Sequence, residues 1–254
     1  MKKRFIVVVG REGIETRNLI FLFGFVCFAV WPVPMQRSNK VILCLHGWRT
    51  NSHVMRSQCQ DVFNHAGTDF TVEYLDAPHA AKGPAFEAVE LAFESAKQHG
   101  WKEWYDYIAA PTEGGSDKYD GLEASLDFVE SEVKRLQPYA ICGFSQGGTI
   151  ASIIAKKFRD QGEQSCEKLL LFCTVPSMKF YNQYPGFIEK PLELKSLHCI
   201  GERDPWKDRA SYFAEHAFDS STREVFVHSG NHKPPSIFEK RDGVFDTVAE
   251  FLKK

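Results

Sequence analysis

The chain is 254 residues long, 43% hydrophobic, 25% charged and 13% aromatic, with a formal net charge of -2. Its length and balance suit one globular domain with a full mixed core, and a charge this near neutrality removes the electrostatic case for a nucleic-acid partner. The seven cysteines are odd in number and contain no CxxC pair, which speaks against a secreted disulfide framework, and no His/Cys/carboxylate cluster has metal-ligand spacing.

The chain opens on basic residues, and positions 19–31 (LIFLFGFVCFAVW) form an unbroken apolar stretch closed by Pro32 and Pro34. That is short of the about 20 residues a membrane-spanning helix needs. Its length suits a signal-peptide core, yet Glu12 and Glu15 precede it and no clear small-x-small cleavage site follows. Residues 1–34 are therefore read as an extension, and the domain as residues 35–254. A targeting signal or a membrane-surface anchor are the alternatives, and membrane contact is expected only through this segment. Reduced, packed cysteines favour the cytoplasm; a secretory or organellar location follows if the segment is a signal.

From Lys40 onward, apolar β-rich runs alternate with helical patterns, the signature of a mostly parallel α/β sheet. The runs are residues 40–45, 71–75, 139–142, 168–175, 197–200 and 224–228, rich in Val, Ile, Leu, Phe and Cys as strands covered on both faces are. Cys44, Cys142, Cys173 and Cys199 fall inside them and are expected as buried thiols. Residues 76–120 break the alternation: Trp101, Trp104, Tyr105 and Tyr107 are followed by the turn-rich PTEGGSD. The segment suits a small cap, with Trp104 and Tyr105 as candidate substrate-binding residues; aromatic packing against the sheet edge is the competing reading. Leu122, Leu126, Val129, Val133 and Leu136 make one apolar helix stripe, and residues 241–253 make another.

The chemistry concentrates at Gly143-Phe144-Ser145-Gln146-Gly147-Gly148, between a strand and a helix. A G-x-S-x-G turn in that setting holds the serine hydroxyl exposed above the sheet, and the flanking glycines avoid clashes at the sharp bend. Ser145 is thus the candidate nucleophile, and the Gln146 amide, at the helix N-terminus, can donate to an oxyanion. A serine needs a base within hydrogen-bond reach, and on such a turn the acid and then the histidine follow it in the chain. His232 lies in the loop Ser-Gly-Asn-His-Lys-Pro-Pro after the last strand, where it can reach back over the strand ends. His228 is the runner-up, while His198 and His216 sit within a strand and a helix. Asp204, in the turn after the 197–200 run, is the candidate orienting acid; Asp208 and Glu202 are rivals, Asp208 doubling as a helix cap. The second oxyanion donor is expected from His46-Gly47-Trp48, as the Trp48 amide, with His46 bracing that loop.

Leu45-His46-Gly47-Trp48-Arg49-Thr50-Asn51, Asp76-Ala77-Pro78-His79, residues 143–148, Gly201-Glu202-Arg203-Asp204 and Gly230-Asn231-His232-Lys233-Pro234-Pro235 together resemble the FSH family of serine hydrolases. That family is similar to acyl-protein thioesterases and small carboxylesterases, and the resemblance spans residues 40–254. It implies an α/β-hydrolase fold with a mostly parallel sheet, flanking helices and a small or minimal cap. It also implies cleavage of small carboxylic esters or thioesters through an acyl-enzyme, no cofactor, and a triad carried onto Ser145, Asp204 and His232. Asn231 replaces a second glycine before the histidine, and Lys233 alters the step to proline; both bear on substrate range. The alternatives are a membrane-associated lysophospholipase or acyl-protein thioesterase, and an inert binding module on the same fold.

Overall fold

The computed structural model describes residues 40–108, 118–176, 180 and 184–254. The N-terminal extension, with the expectations attached to it, lies outside these residues.

In chain order the first elements are β1 (Lys40–Leu45), α1 (Ser52–Ala66) and β2 (Phe70–Leu75). An insertion follows, built from β3 (His79–Ala80), α2 (Glu87–Ala92), a 3-10 turn (Glu94–His99), β4 (Lys102–Glu103), β5 (Asp106–Ile108) and β6 (Lys118–Asp120). The chain then runs through α3 (Leu122–Leu136), β7 (Ala140–Phe144), α4 (Gln146–Asp160), β8 (Lys168–Phe172) and α5 (Gly186–Glu189). It closes with β9 (Lys195–Gly201), α6 (Lys207–Ala217), β10 (Arg223–His228) and α7 (Val244–Lys253).

Six strands make one parallel sheet in the order β10-β9-β8-β7-β1-β2. The chain leaves β1 toward β2 on one side, then returns to β7 and proceeds outward through β8, β9 and β10 on the other. The reversal lies between β1 and β7. In open parallel sheets the crevice outside the strand carboxyl ends at such a reversal is where ligands bind. The loops leaving β1 and β7 carry Trp48 and Ser145.

Alternation along each strand divides the core between the two faces. Leu43, Leu45, Ile141, Leu169 and Leu171 face α3 and α4. Ile42, Cys44, Cys142, Leu170 and Phe172 face α1 and α7. The expected stripe of α3 is buried at Leu122, Leu126, Val129 and Val133. Cys44, Cys142, Cys173 and Cys199 are buried free thiols, and burial pushes the Cys173 thiol up to about 12, so they pack as small hydrophobes.

Three differences from the sequence expectation have local causes. The edge strands β2 and β10 are only partly covered, and Val225 and Val227 of β10 are 45% and 44% exposed, because an outer strand has helix cover on only part of its surface. The strand expected over 168–175 stops at Phe172, since Cys173 takes a φ of 44°, outside the extended region. The last helix starts at Val244, after a 3-10 turn over Lys240–Asp242 and a left-handed Gly243. Among the described residues no helix is long and apolar enough to cross a membrane.

Candidate active site

Ser145 occupies the turn between β7 and α4 with φ 50° and ψ -114°, a conformation uncommon for a residue with a side chain. The surroundings impose it. Ser145 N donates to Phe172 O at 3.0 Å, and Gly148 N and Thr149 N donate to Ser145 O. The glycines are required by contact: a Cβ on Gly147 would lie 2.3 Å from Leu45 O, and one on Gly143 would lie 2.4 Å from Gly148 Cα.

The structure brings His232 and Asp204 to this serine. His232 Nε2 is 2.9 Å from Ser145 Oγ, and His232 Nδ1 is 2.7 Å from Asp204 Oδ2. Asp204 Oδ1 accepts from Trp206 N at 2.8 Å. Burial alone would raise the Asp204 carboxyl. The hydrogen bonds from His232 and the Trp206 amide outweigh it, and the group stays below its ordinary range. An ionised Asp204 accepts, so the imidazole proton sits on Nδ1 and Nε2 is left to accept from the serine hydroxyl. The Trp206 ring stands edge-on to the imidazole at 4.6 Å and 83°, and Phe144 packs at 5.2 Å.

Backbone bonds register the acid loop against the histidine loop. Glu202 N donates to His228 O and Arg203 N to Gly230 O, and Arg203 Nε donates to Ser229 O. Beyond His232, Lys233 Nζ and Ser236 N both donate to Glu239 Oε2, at 2.8 and 2.9 Å. Although burial opposes ionisation of Glu239, these donors bring it down to about 2. The rivals lie elsewhere. His228 Nδ1 accepts from Gly230 N, Glu202 pairs with Lys207, His198 contacts Ser196 and the Phe218 ring, and Asp208 is exposed in the first turn of α6.

The loop after β1 is braced by buried polar groups. Ala77 N donates to His46 Nε2 at 3.0 Å, so His46 carries its proton on Nδ1 and donates to Gly47 O at 2.7 Å. Trp104 Nε1 donates to His46 O at 2.8 Å, and Thr50 Oγ1 to Gly47 O at 2.9 Å. Asp76 accepts from Ser52 N, so the Asp-Ala-Pro segment fixes both this loop and the start of α1. His46 is the brace expected of it.

Trp104 corrects one expectation. Its side chain is fully buried, 5.1 Å from the His46 ring, and it does not border the cleft at Ser145. A large ring with one N–H is best satisfied indoors when an acceptor is at hand, and His46 O is that acceptor. Tyr105, its neighbour, does line the cleft. Gln146 links the two regions, since its Oε1 accepts from Trp104 N at 3.1 Å and its Nε2 donates to Tyr105 O at 2.8 Å. Its own amide is the first of α4, which has no partner within the helix.

The cleft has a volume of about 340 Å³, and Trp48, Phe86, Tyr105, Tyr119, Val175 and Trp206 supply apolar wall beside Ser145 and His232. Trp206 was detectable beside the Asp204-Pro205 turn. Phe86, Tyr119 and Val175 carry no local signal, because three separate chain segments deliver them. Among the described residues, Cys173, Asp204 and His232 are the group whose potential metal-ligand atoms lie within 4.8 Å of one another. Two of those atoms already share the 2.7 Å bond between Asp204 and His232.

Buried neutral histidines make stability depend on pH. Burial lowers His46 to about 4 and His198 to about 3, against 6.5 ordinarily. As pH falls below 6.5 the unfolded chain takes up protons that the folded chain refuses, so stability is full above 6.5 and is lost toward 4 and below. Urea unfolding at pH 5 is expected to give about 2 kcal/mol less stability per histidine than at pH 7. The His198→Asn protein should show a shallower loss; an unchanged slope would remove His198 from this account.

A parallel sheet with a G-x-S-x-G turn at its topological reversal, and a histidine and acid returning from later strand ends, has the architecture of an α/β-hydrolase. The profile described as "Serine hydrolase (FSH1)" matches residues 35–243, and the chain belongs to that family. It is 24% identical over 226 residues to "Esterase OVCA2" of Danio rerio, covering 84% of this chain and 96% of the relative. It is 25% identical over 212 residues to "Esterase FUS5" of Gibberella fujikuroi, covering 82% and 84%. In fold it is similar to esterase PE8 (TM-score 0.59, 14% identity, 85% of this chain and 92% of that one). It is also similar to the type II thioesterase BorB from the borrelidin biosynthetic cluster (TM-score 0.51, 14% identity, 84% and 91%). The protein is a serine hydrolase.

Proposed function

We propose that the protein hydrolyses carboxylic esters, thioesters among them, by acyl transfer through Ser145, with His232 as general base and acid and Asp204 as its orienting partner. The observation that carries this is the unbroken relay of 2.9 Å from Ser145 Oγ to His232 and 2.7 Å from His232 to Asp204.

In the first step His232 Nε2 takes the hydroxyl proton as Oγ attacks the carbonyl carbon, and Asp204 stabilises the imidazolium that forms. The negative charge develops on the carbonyl oxygen. The Gln146 amide at the start of α4 and the Trp48 amide on the braced loop are its donors. His232 then protonates the leaving alcohol or thiol. In the second step water attacks the acyl-enzyme, losing its proton to His232, and the acid is released with Ser145 regenerated. Ester and thioester pass through the same oxyanion, so one set of groups serves both.

Labelling by a fluorophosphonate probe tests the reading. The intact protein is expected to label, and Ser145→Ala and His232→Ala to lose labelling while keeping their circular dichroism spectra. Absence of labelling in the folded wild type would overturn it in favour of an inert binding module. Parallel rates on an acyl ester and the matching thioester decide whether thioesters belong to its range.

A further inference from the structure

Among the described residues, the cleft beside Ser145 carries one cationic side chain that the acyl-transfer chemistry does not use. Arg209 lines it, on α6 three residues beyond Trp206, whose ring stands against His232. From the N-cap and the first turn of α6, Trp206 and Arg209 border the same cleft. Asp106 also lines the cleft, but its carboxylate lies 3.4 Å from Lys82 Nζ. Arg209 has no carboxylate within ion-pair distance among the described residues. Its Nη2 donates to Pro176 O at 2.7 Å, and its Nε is enclosed without an acceptor. A guanidinium presents five donors in a planar fork that matches a carboxylate, and the bond to Pro176 O occupies one of them.

We propose that Arg209 is a specificity residue that binds a carboxylate carried by the substrate, so that the enzyme prefers esters bearing a free acid over neutral esters of the same size. This rests on the acyl-transfer reading above. The apolar walls accept the connecting chain, and Arg209 holds its charged end. A single guanidinium, with the Asp106 carboxylate on the same cleft, suits a monoanion better than a phosphate dianion.

Two substrate pairs test it. One pair carries the acid on the acyl side (p-nitrophenyl hydrogen adipate against p-nitrophenyl methyl adipate), the other on the alcohol side (4-acetoxybenzoate against its methyl ester). The expected result is a preference for the acid in kcat/KM within at least one pair. That ratio should fall by roughly tenfold or more in Arg209→Met, mainly through KM, and be kept only in part in Arg209→Lys, which retains the charge but not the fork. A ratio is read because Arg209→Met also releases Pro176 O, and a merely structural role would slow both members of a pair alike. A wild type that favours the neutral member of both pairs, or a ratio unmoved by Arg209→Met, would overturn the proposal. If the wild type hydrolyses neither and takes up no fluorophosphonate, the acyl-transfer reading has failed separately. Calorimetric titration of adipate monoamide into Ser145→Ala, with and without Arg209→Met, then decides the carboxylate site: roughly tenfold weaker binding in the double variant supports it, and equal or absent binding overturns it.

Discussion

Replacing His232 by alanine is expected to lower kcat on an activated aryl ester by about 10⁴-fold or more, with KM moving little, because the proposed mechanism uses the group in proton transfer and not in ground-state binding. Asp204→Asn is expected to cost a similar factor for a more specific reason. Asp204 Oδ1 accepts from the Trp206 amide and Oδ2 from His232 Nδ1. An asparagine there keeps its oxygen on the Trp206 amide and turns its NH2 toward Nδ1. The imidazole proton is then driven to Nε2, which can no longer accept from Ser145. Steady-state kinetics on variants with wild-type near-UV circular dichroism check both. If Asp204→Asn retained more than a tenth of the wild-type kcat, Asp204 would not be setting the tautomer. The carboxyl of Asp204 lies below its ordinary range, so loss of activity between pH 7 and pH 5 is expected to come from protonation elsewhere than Asp204.

The second large effect is expected from a glycine that contacts no substrate. A Cβ on Gly201 would stand 2.4 Å from Asn231 O and 2.7 Å from Gly230 O. Both neighbours are backbone, and the segment they belong to carries His232. Gly201→Ala must therefore push that loop away, and a displacement near 1 Å at a reacting group costs about 100-fold in rate. Gly147→Ala acts at the other end of the relay. Its Cβ would meet Leu45 O and His46 O at 2.3 and 2.4 Å, prising the turn at Ser145 from the end of β1 and destabilising the fold by about 3 kcal/mol. Gly186→Ala is the control, since nothing lies within 4 Å of its added Cβ; its stability should stay within about 0.5 kcal/mol of wild type. Thermal melts and kcat on the three variants separate the cases, and a Gly201→Ala protein with wild-type kcat would show that the histidine loop is not positioned by that contact.

What the sequence itself determined about this protein is what local rules govern. Strand and helix positions follow from residues whose periodicity matches the final burial, as Leu122, Leu126, Val129 and Val133 do on α3. The turn at Ser145 follows from glycines whose need is steric and immediate. The order of serine, acid and histidine follows from which strand ends precede which loops, and His46 as a brace follows from its place at the end of β1. Tertiary structure decided the rest, since it joins residues that no local pattern relates. Trp104 and Tyr105 are adjacent, yet one ring is buried against His46 and the other lines the cleft, while the Gln146 side chain holds the backbone on either side of the pair, at Trp104 N and Tyr105 O. Arg209 reads as one of many surface cations in the sequence, and only the packing of α6 beside His232 brings it into the cleft. Edge burial, the early end of β8 at Cys173 and the cleft wall likewise depend on neighbours distant in the chain. Side-chain environment is set by the summed contacts of several segments, whereas backbone class is set largely by each segment's own pattern.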